Sequence, residues 1–356
     1  MRRIGSTAAL AVAAGLACFG SPRPLVAAEA PRVHLIATGG TIANARAGRF
    51  TVEQLQGTIP NLESLARVSH EQFSNVASGD LTLGQWLALA KRINQLFGED
   101  QTLSGVVVTS GTDTLEETAF FLHLTVHDRR PVVVVGAMRN PDTLGYDGPA
   151  NLRSAIRVAA SSDAAGRGVL VVLNDEINSA RDVTKTNANR VQTFRSGDYG
   201  LVGVIGADRV VFFRDVPQRH TYRSEFDVDR LTDLPSVEIV MTYQGASGRL
   251  IRGAIDAGAK AVVLAGAGAG ALAVTQNEAV DAALDQGIVL VRSSRTGSGR
   301  VARGEPLPSM TAAQLRRRRL IIPAEDHAPV KARILAMLAL TRTSDQSEIE
   351  RIFREY

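Results

Sequence analysis

The 356-residue chain is long enough for one large or two medium domains, each with its own core. Its formal charge of +4 falls to about +1 once residues 1–28 are set aside, because that stretch holds Arg2, Arg3 and Arg23 and no acid. Charge balance therefore gives little reason to expect a nucleic-acid partner. The one cysteine, Cys18, lies in the same stretch, so the rest of the chain has no disulfide, thiolate nucleophile or cysteine metal site.

The N-terminus reads as a leader. Arg2 and Arg3 precede an apolar run from Ala8 to Phe19, too short to span a bilayer, and small residues come next at Val26-Ala27-Ala28. Cleavage is expected after Ala28 or Ala30, giving an exported protein, periplasmic or secreted. No later stretch of the sequence is apolar for long enough to cross a membrane.

The first β-rich run, Val33–Ala37, opens into "TGGTIANARAG". Gly39-Gly40 lets the backbone turn tightly and approach a ligand, with Thr38 and Thr41 on either side. The segment beyond them is small, polar and glycine-containing and reads as a mobile loop. A plain Gly-Gly turn would look the same. Helical spacing appears over Trp86–Leu96, and then Val106–Thr109 runs into "SGTDTLEE". Thr114-Leu115-Glu116-Glu117 fits a helix capping box, which accounts for Thr114 and Glu117 and leaves Thr112 and Asp113 over. A phosphate loop is disfavoured: Asp113 would face a dianion, and there is no G-x-x-x-x-G-K-[ST]. A carboxylate here suits an ammonium group instead.

Further helical spacing at Thr118–Leu124 and Asn151–Ala160 alternates with the runs Val132–Val135 and Val169–Leu173. Continuous valine-rich strands between helices predict a mostly parallel sheet covered on both faces, with ligands beyond the carboxyl ends of its strands. "RDVTKTNANR" contains Lys185, one of four lysines after the leader, set among hydroxyls and amides. It reads either as a lysine tying down a loop or as a base for a hydroxyl nucleophile, which arginine could not be. Residues 215–235 have no strong periodicity. The alternation then resumes at Val237–Thr242, Ala261–Ala265 and Ile288–Val291 and ends in helical patterns at Pro329–Leu340 and Asp345–Phe353. The expected domains are 31–220 and 236–356, joined by 221–235. Arg316–Arg319 reads as a solvated or subunit-facing helix face, since no stacking aromatics accompany it.

Taken together, "ATGGTIA" (37–43), "GTDTLEETA" (111–119), "VVVVGAMR" (132–139), "DGPANL" (147–152), "GRGVLVVLNDEINSARDVTKTNA" (166–188) and "VRSSR" (291–295) resemble the bacterial type II L-asparaginases. The similarity runs from about residue 32 to the C-terminus. It implies a larger N-terminal α/β domain with a flavodoxin-like mixed sheet and a smaller C-terminal α/β domain with a parallel sheet. It also implies hydrolysis of the side-chain amide of L-asparagine, with L-glutamine an open alternative, through an acyl-enzyme or a directly activated water. In proteins of this kind the second threonine of the first motif is the nucleophile, here Thr41. Thr112, Asp113 and Lys185 then form the proton relay, with Asp113 also binding the substrate α-ammonium. Ser78 and the neighbouring Gly79 position match the α-carboxylate site, and the Ala137 backbone approaches the amide. No metal or cofactor is implied. The assembly implied is a homotetramer built from dimers that share sites, with an acidic residue reaching across; Glu305 is the nearest candidate.

Several positions depart from the family pattern. Phe50 stands where a tyrosine hydroxyl assists the nucleophile, Ser110 where relatives carry histidine, and Gly79 where they carry Gln or Glu. Gly245 replaces an asparagine, and "GAGAGAL" (266–272) replaces "GVGNGNL". Each loss of a hydrogen bond to a charged group costs about 1.5–3 kcal/mol, which implies a weaker enzyme or a shifted specificity. The sequence also admits two rivals. Gly266–Ala271 matches a G-x-G-x-x-A dinucleotide fingerprint with Asp281 and Asp285 downstream. The altered polar positions would also suit an exported amino-acid-binding protein that has lost catalysis.

Overall fold

The computed structural model describes residues 29–356. The expected leader, residues 1–28 with Cys18, lies outside the described residues. In chain order the N-terminal part contains β1 (Arg32–Gly39), a small hairpin β2 (Asn44–Ala45) and β3 (Gly48–Arg49), helix α1 (Val52–Gly57), β4 (Arg67–Val76) and α2 (Leu83–Glu99). Then come β5 (Leu103–Thr109), α3 (Leu115–Thr125), β6 (Val132–Val135), α4 (Gly148–Ala159), β7 (Val169–Leu173) and β8 (Glu176–Ser179). A second hairpin, β9 (Thr184–Lys185) with β10 (Phe194–Arg195), precedes β11 (Gly203–Ile205) and β12 (Val210–Phe212).

The eight-stranded sheet runs β12-β11-β8-β7-β6-β5-β1-β4. Its five strands from β4 to β7 are parallel, and β8, β11 and β12 attach antiparallel, so the sheet is mixed. Counted along the chain, the parallel strands stand in the flavodoxin order, whose switch point lies between β1 and β5. Alternate valines feed two cores. Val106, Val108, Val132 and Val134 pack with α2 and α3, while Val107, Val133 and Val135 pack with α4. Burial on both faces is why these strands read as continuous apolar runs.

The C-terminal part is a four-stranded parallel sheet, β13 (Val237–Met241), β14 (Ala261–Gly266), β15 (Val289–Ser294) and β16 (Ile321–Pro323), in that order. Helices α5 (Arg249–Asp256), α6 (Asn277–Asp285), α7 (Ala312–Leu320), α8 (Pro329–Leu340) and α9 (Gln346–Glu355) surround it. The core beneath α3 is continuous with the one around α8, so the two parts share apolar packing. Residues 221–235 also contribute, through buried Phe226, Val228 and Leu234.

The glycine-rich segment after β14 does not cradle a phosphate. Ala267 and Ala271 exchange backbone hydrogen bonds, closing the loop on itself, and α6 starts only at Asn277. No helix N-terminus therefore faces the turn, as the dinucleotide reading required. The acids that reading nominated are ion-paired to the arginine run on α7: Asp281 to Arg317 at 2.6 Å and Asp285 to Arg316 at 2.8 Å.

Three imidazoles are buried where α3 meets the C-terminal part. His123 lies beside His220, with ring centroids 5.1 Å apart, and His327 lies against Phe120. Burial, their largest influence, lowers all three pKa values: His220 to about 4, His327 to about 3, and His123 well below 6.5. A folded pKa below the unfolded value means the native state holds these rings neutral. Their contribution is present above pH 6.5 and is lost as pH falls toward those folded values. Lys331, pushed down to about 8 by burial, is charged in both states below that pH and adds no slope there. Stability should therefore drop between pH 7 and pH 5 by on the order of 1–2 kcal/mol per histidine. Thermal unfolding across that range should show a falling Tm, and His220→Gln should flatten the fall. A Tm independent of pH would contradict the buried neutral state.

Candidate active site

The switch point brings two strand ends together through glycines. At the end of β1, Gly39 and Gly40 have φ of 105° and 85°, and Gly40 donates its N–H to Val76 O at 2.9 Å. A Cβ on Gly40 would overlap the Cα of Gly111, the residue leading into Thr112. A Cβ on Gly111 would lie 2.7 Å from the Ser78 Cβ. Three chain segments thus converge at backbone contact distance, and Thr41, Thr112 and Ser78 flank the meeting point. Thr38 Oγ1 donates to Thr109 O at 2.7 Å and Ser74 Oγ to Thr38 O at 2.9 Å, tying these strand ends together.

The segment after Gly40 differs from the expected mobile loop. Thr41–Ala43 form a 3-10 turn leading into the β2–β3 hairpin, and Tyr146 Oη donates to Ile42 O at 2.6 Å. Phe50 closes the segment, half-buried against the apolar core under α4, with its N–H donating to Ala43 O at 2.7 Å. Among the described residues, no side-chain hydrogen bond joins Thr41 to Thr112, Asp113 or Lys185.

Those other three residues do meet. Lys185 Nζ donates to Thr112 Oγ1 at 3.0 Å and to Asp113 Oδ1 at 2.6 Å. Thr112 is buried and the Lys185 side chain is 14% exposed, whereas the Asp113 side chain is 81% exposed. The carboxylate stands at the mouth, with the hydroxyl and amine behind it. Asp113 and Lys185 line a shallow cavity of about 350 Å³ with Thr186, Asn187 and Ala188. A second cavity of about 650 Å³ shares Lys185 and Thr186 and extends toward Tyr199 and the 296–300 loop.

The capping box expected at Thr114–Glu117 is not formed. Thr114 is the N-cap residue of α3 but caps nothing with its side chain; its hydroxyl donates to Ser78 O at 3.0 Å, bracing the Ser78–Asp80 turn. Glu117 is half-buried, and the desolvation raises its pKa. Glu116 reaches the other way and accepts from Thr184 Oγ1 and the Lys185 N–H, both at 3.0 Å. The polar groups of this turn are thus spent on partners distant in the chain and not on the local motif. Gly79 has open space around it, with nothing within 4 Å of an added Cβ, so the missing side chain leaves room rather than strain. Ser110 is buried, and its hydroxyl donates to its neighbour's carbonyl, Gly111 O, at 3.3 Å.

Ala137 sits at the end of β6, fully buried, next to Gly136, where an added Cβ would lie 3.1 Å from Thr112 Cγ2. Its turn is held by residues that sequence reasoning did not single out. Asp147 accepts from the N–H groups of Met138 at 3.0 Å and Arg139 at 2.9 Å. Asn151 donates to both Gly136 O and Asp147 Oδ2 at 3.0 Å. The only signal for them was the "DGPANL" segment, whose polar residues look like ordinary helix-start residues until the β6 turn is packed against them. Gly245 and Glu305 lie apart on the C-terminal part. Gly245 has φ 75° with open space beside it, and Glu305 is exposed.

Comparison with known proteins places the chain in a family. Residues 32–218 match the family model "Asparaginase, N-terminal" and residues 236–353 match "Glutaminase/Asparaginase C-terminal domain". The chain is 43% identical to "L-asparaginase 2" of Bacillus subtilis, over 92% of this chain and 87% of that protein. It is 37% identical to "Probable L-asparaginase periplasmic" of Haemophilus influenzae, over 93% and 94% respectively. A crystal structure of a probable cytoplasmic L-asparaginase from Campylobacter jejuni superposes with a TM-score of 0.85 at 40% identity, covering 92% of this chain and all of that one. The chain belongs to the asparaginase family.

Proposed function

We propose that this protein hydrolyses the side-chain amide of L-asparagine to L-aspartate and ammonia, with L-glutamine as a second substrate to be tested. The observation that carries the reading is the Thr112–Lys185–Asp113 cluster at a sheet switch point, one glycine contact away from Thr41. The exposed Asp113 carboxylate suits the α-ammonium of an amino acid, and Ser78 lies where the α-carboxylate would be received. A substrate ammonium arriving at Asp113 competes for the carboxylate that now pairs with Lys185, leaving the lysine amine to the Thr112 hydroxyl. Thr41 attacks the amide carbon, facing the Ala137 backbone, as its proton passes by way of Thr112 to Lys185 in its neutral amine form. The C–N bond breaks as that proton goes to the departing ammonia, and water then cleaves the acyl-threonine to give L-aspartate. A hydroxyl is a poor nucleophile without such a base.

Ammonia release from L-asparagine and L-glutamine tests the reading directly. Turnover of at least one is expected; binding without turnover of either at millimolar substrate would instead favour an amino-acid-binding protein. Thr41→Ala and Lys185→Ala should each lower kcat by about a thousandfold, in the range of lost nucleophilic or acid–base assistance. Near-normal turnover in either variant would remove that residue from its role.

Phe50→Tyr should raise kcat, because it restores a hydroxyl on the segment that carries Thr41. No gain would mean that another group already supplies that assistance.

Export and assembly belong to the same reading. A relative named periplasmic and the Arg2–Ala28 pattern support export, although a structural relative is named cytoplasmic. The open mouth at Asp113 supports completion of each site by a neighbouring subunit in a homotetramer, with Glu305 the nearest candidate from across. Protein recovered from the exported fraction should begin after Ala28 or Ala30 and sediment as four chains. An intact N-terminus, or a monomeric mass with full activity, would refute the corresponding part.

A further inference from the structure

We propose that Glu116 and Lys331, one from each half of the chain, form a buried clamp that positions Lys185. The inference rests on the threonine–lysine reading of the site and names positioning residues for it.

Lys185 lies on a hairpin of two residues per strand, and a ladder that short is too weak to fix a side chain by itself. The support comes from behind. Lys331, on α8 and 3% exposed, donates from Nζ to Arg181 O at 2.6 Å and Val183 O at 2.5 Å. Its ammonium also lies 5.7 Å from the centre of the Phe120 ring. Glu116, in the first turn of α3, accepts from Thr184 Oγ1 and the Lys185 N–H. Residues 181, 183, 184 and 185 are thus held in succession by two charged side chains, and the Lys185 side chain continues forward to Thr112 and Asp113. Because α3 starts directly after Thr114, Glu116 belongs to the same rigid piece as Thr112 and Asp113. Lys185 is therefore gripped at its backbone and at its amine by one turn of chain.

The charges themselves argue for a role beyond cohesion. Glu116 Oε2 is buried and, among the described residues, has no hydrogen-bond partner. Of the neighbouring charges that favour the Lys331 ammonium, Glu116 is the largest. Buried opposite charges often stabilise a fold no better than apolar residues of the same volume, so their value lies in the geometry they impose. Here the geometry is that of the Lys185 strand. The small domain, through α8, thereby contributes to a site whose other parts come from the large one.

The test uses the full mature chain with Glu116→Gln, Lys331→Met and Thr184→Val, and Lys91→Met as control. Lys91 also donates to a backbone carbonyl, that of Leu231, but from α2, which supplies no residue to the site. Amide hydrogen exchange over residues 181–186 and steady-state kcat and KM are measured on each. Glu116→Gln and Lys331→Met should speed exchange of the Lys185 amide at least about tenfold, leave the large-sheet strands protected, and lower kcat about tenfold with KM within about twofold. Thr184→Val, which leaves both buried charges in place, should move both readouts in the same direction by less. Unchanged exchange at Lys185, or faster exchange spread equally over the sheet, would overturn the clamp. If a charge variant fails to fold, Thr184→Val decides. If the unmodified protein releases no ammonia, the amidohydrolase reading fails while the exchange data still judge the clamp.

Discussion

The contact on which this site depends is between two residues without side chains. Gly40 and Gly111 lie just past the ends of adjacent parallel strands, and their backbones approach so closely that a methyl group on Gly40 would collide with Gly111 and one on Gly111 with Ser78. The flavodoxin strand order makes the approach possible, because at the switch point the connections leave β1 and β5 toward opposite faces of the sheet and open a crevice between them. The glycines then let the crevice close down to backbone contact. Each is followed by a threonine, so the two hydroxyl-bearing residues arrive side by side from positions 71 apart in the chain. Ser78 joins them because β4 pairs with β1 on its other side.

The rest of the site is built outward from that contact by buried and half-buried polar groups. Asp147 and Asn151 hold the β6 turn around Ala137, Tyr146 braces the Thr41 turn, and Thr114 braces the Ser78 turn. Each of these groups would give up a hydrogen bond if the frame relaxed, a loss of about 0.5–1.5 kcal/mol per bond. A rigid frame of this kind suits a reaction whose nucleophile is weak and must be presented in one orientation. The outermost element, the Asp113 carboxylate, is the exception: it is solvated, and its lysine partner is its only tie to the frame among the described residues.

The departures from the family pattern look different in this frame. Gly79 and Gly245 leave open space without disturbing the backbone around them, so they remove contacts without moving the frame. Phe50 keeps its ring against the core and loses only a hydroxyl. Ser110 is absorbed into the end of β5, bonded to the next carbonyl. The changes spare the residues that fix Thr112 and Lys185, so the scaffold around that cluster is intact.

Hydrophobic patterning alone determined the buried elements. Val106–Thr109, Val132–Val135, Val169–Leu173 and the helix Pro329–Leu340 are apolar enough to declare themselves, because their environment is the same along their whole length. β4 was missed: "RVSHEQFSNV" lies at the sheet edge and is half-exposed, so its polarity resembles a loop. The short hairpin carrying Lys185 was equally illegible, being set by Glu116 and Lys331 rather than by its own composition. The resemblance to the asparaginases singled out Thr41, Thr112, Asp113 and Lys185 together; by residue type alone Thr41 reads equally as part of a plain Gly-Gly turn and Lys185 as a lysine tying down a loop. What only the tertiary structure decided was partnership. Thr114 and Glu117 spell a local cap, yet Thr114 bonds Ser78 and the neighbouring Glu116 bonds the Lys185 strand. A side chain chooses among partners by which of them burial leaves unsatisfied, and that is settled only when distant segments meet.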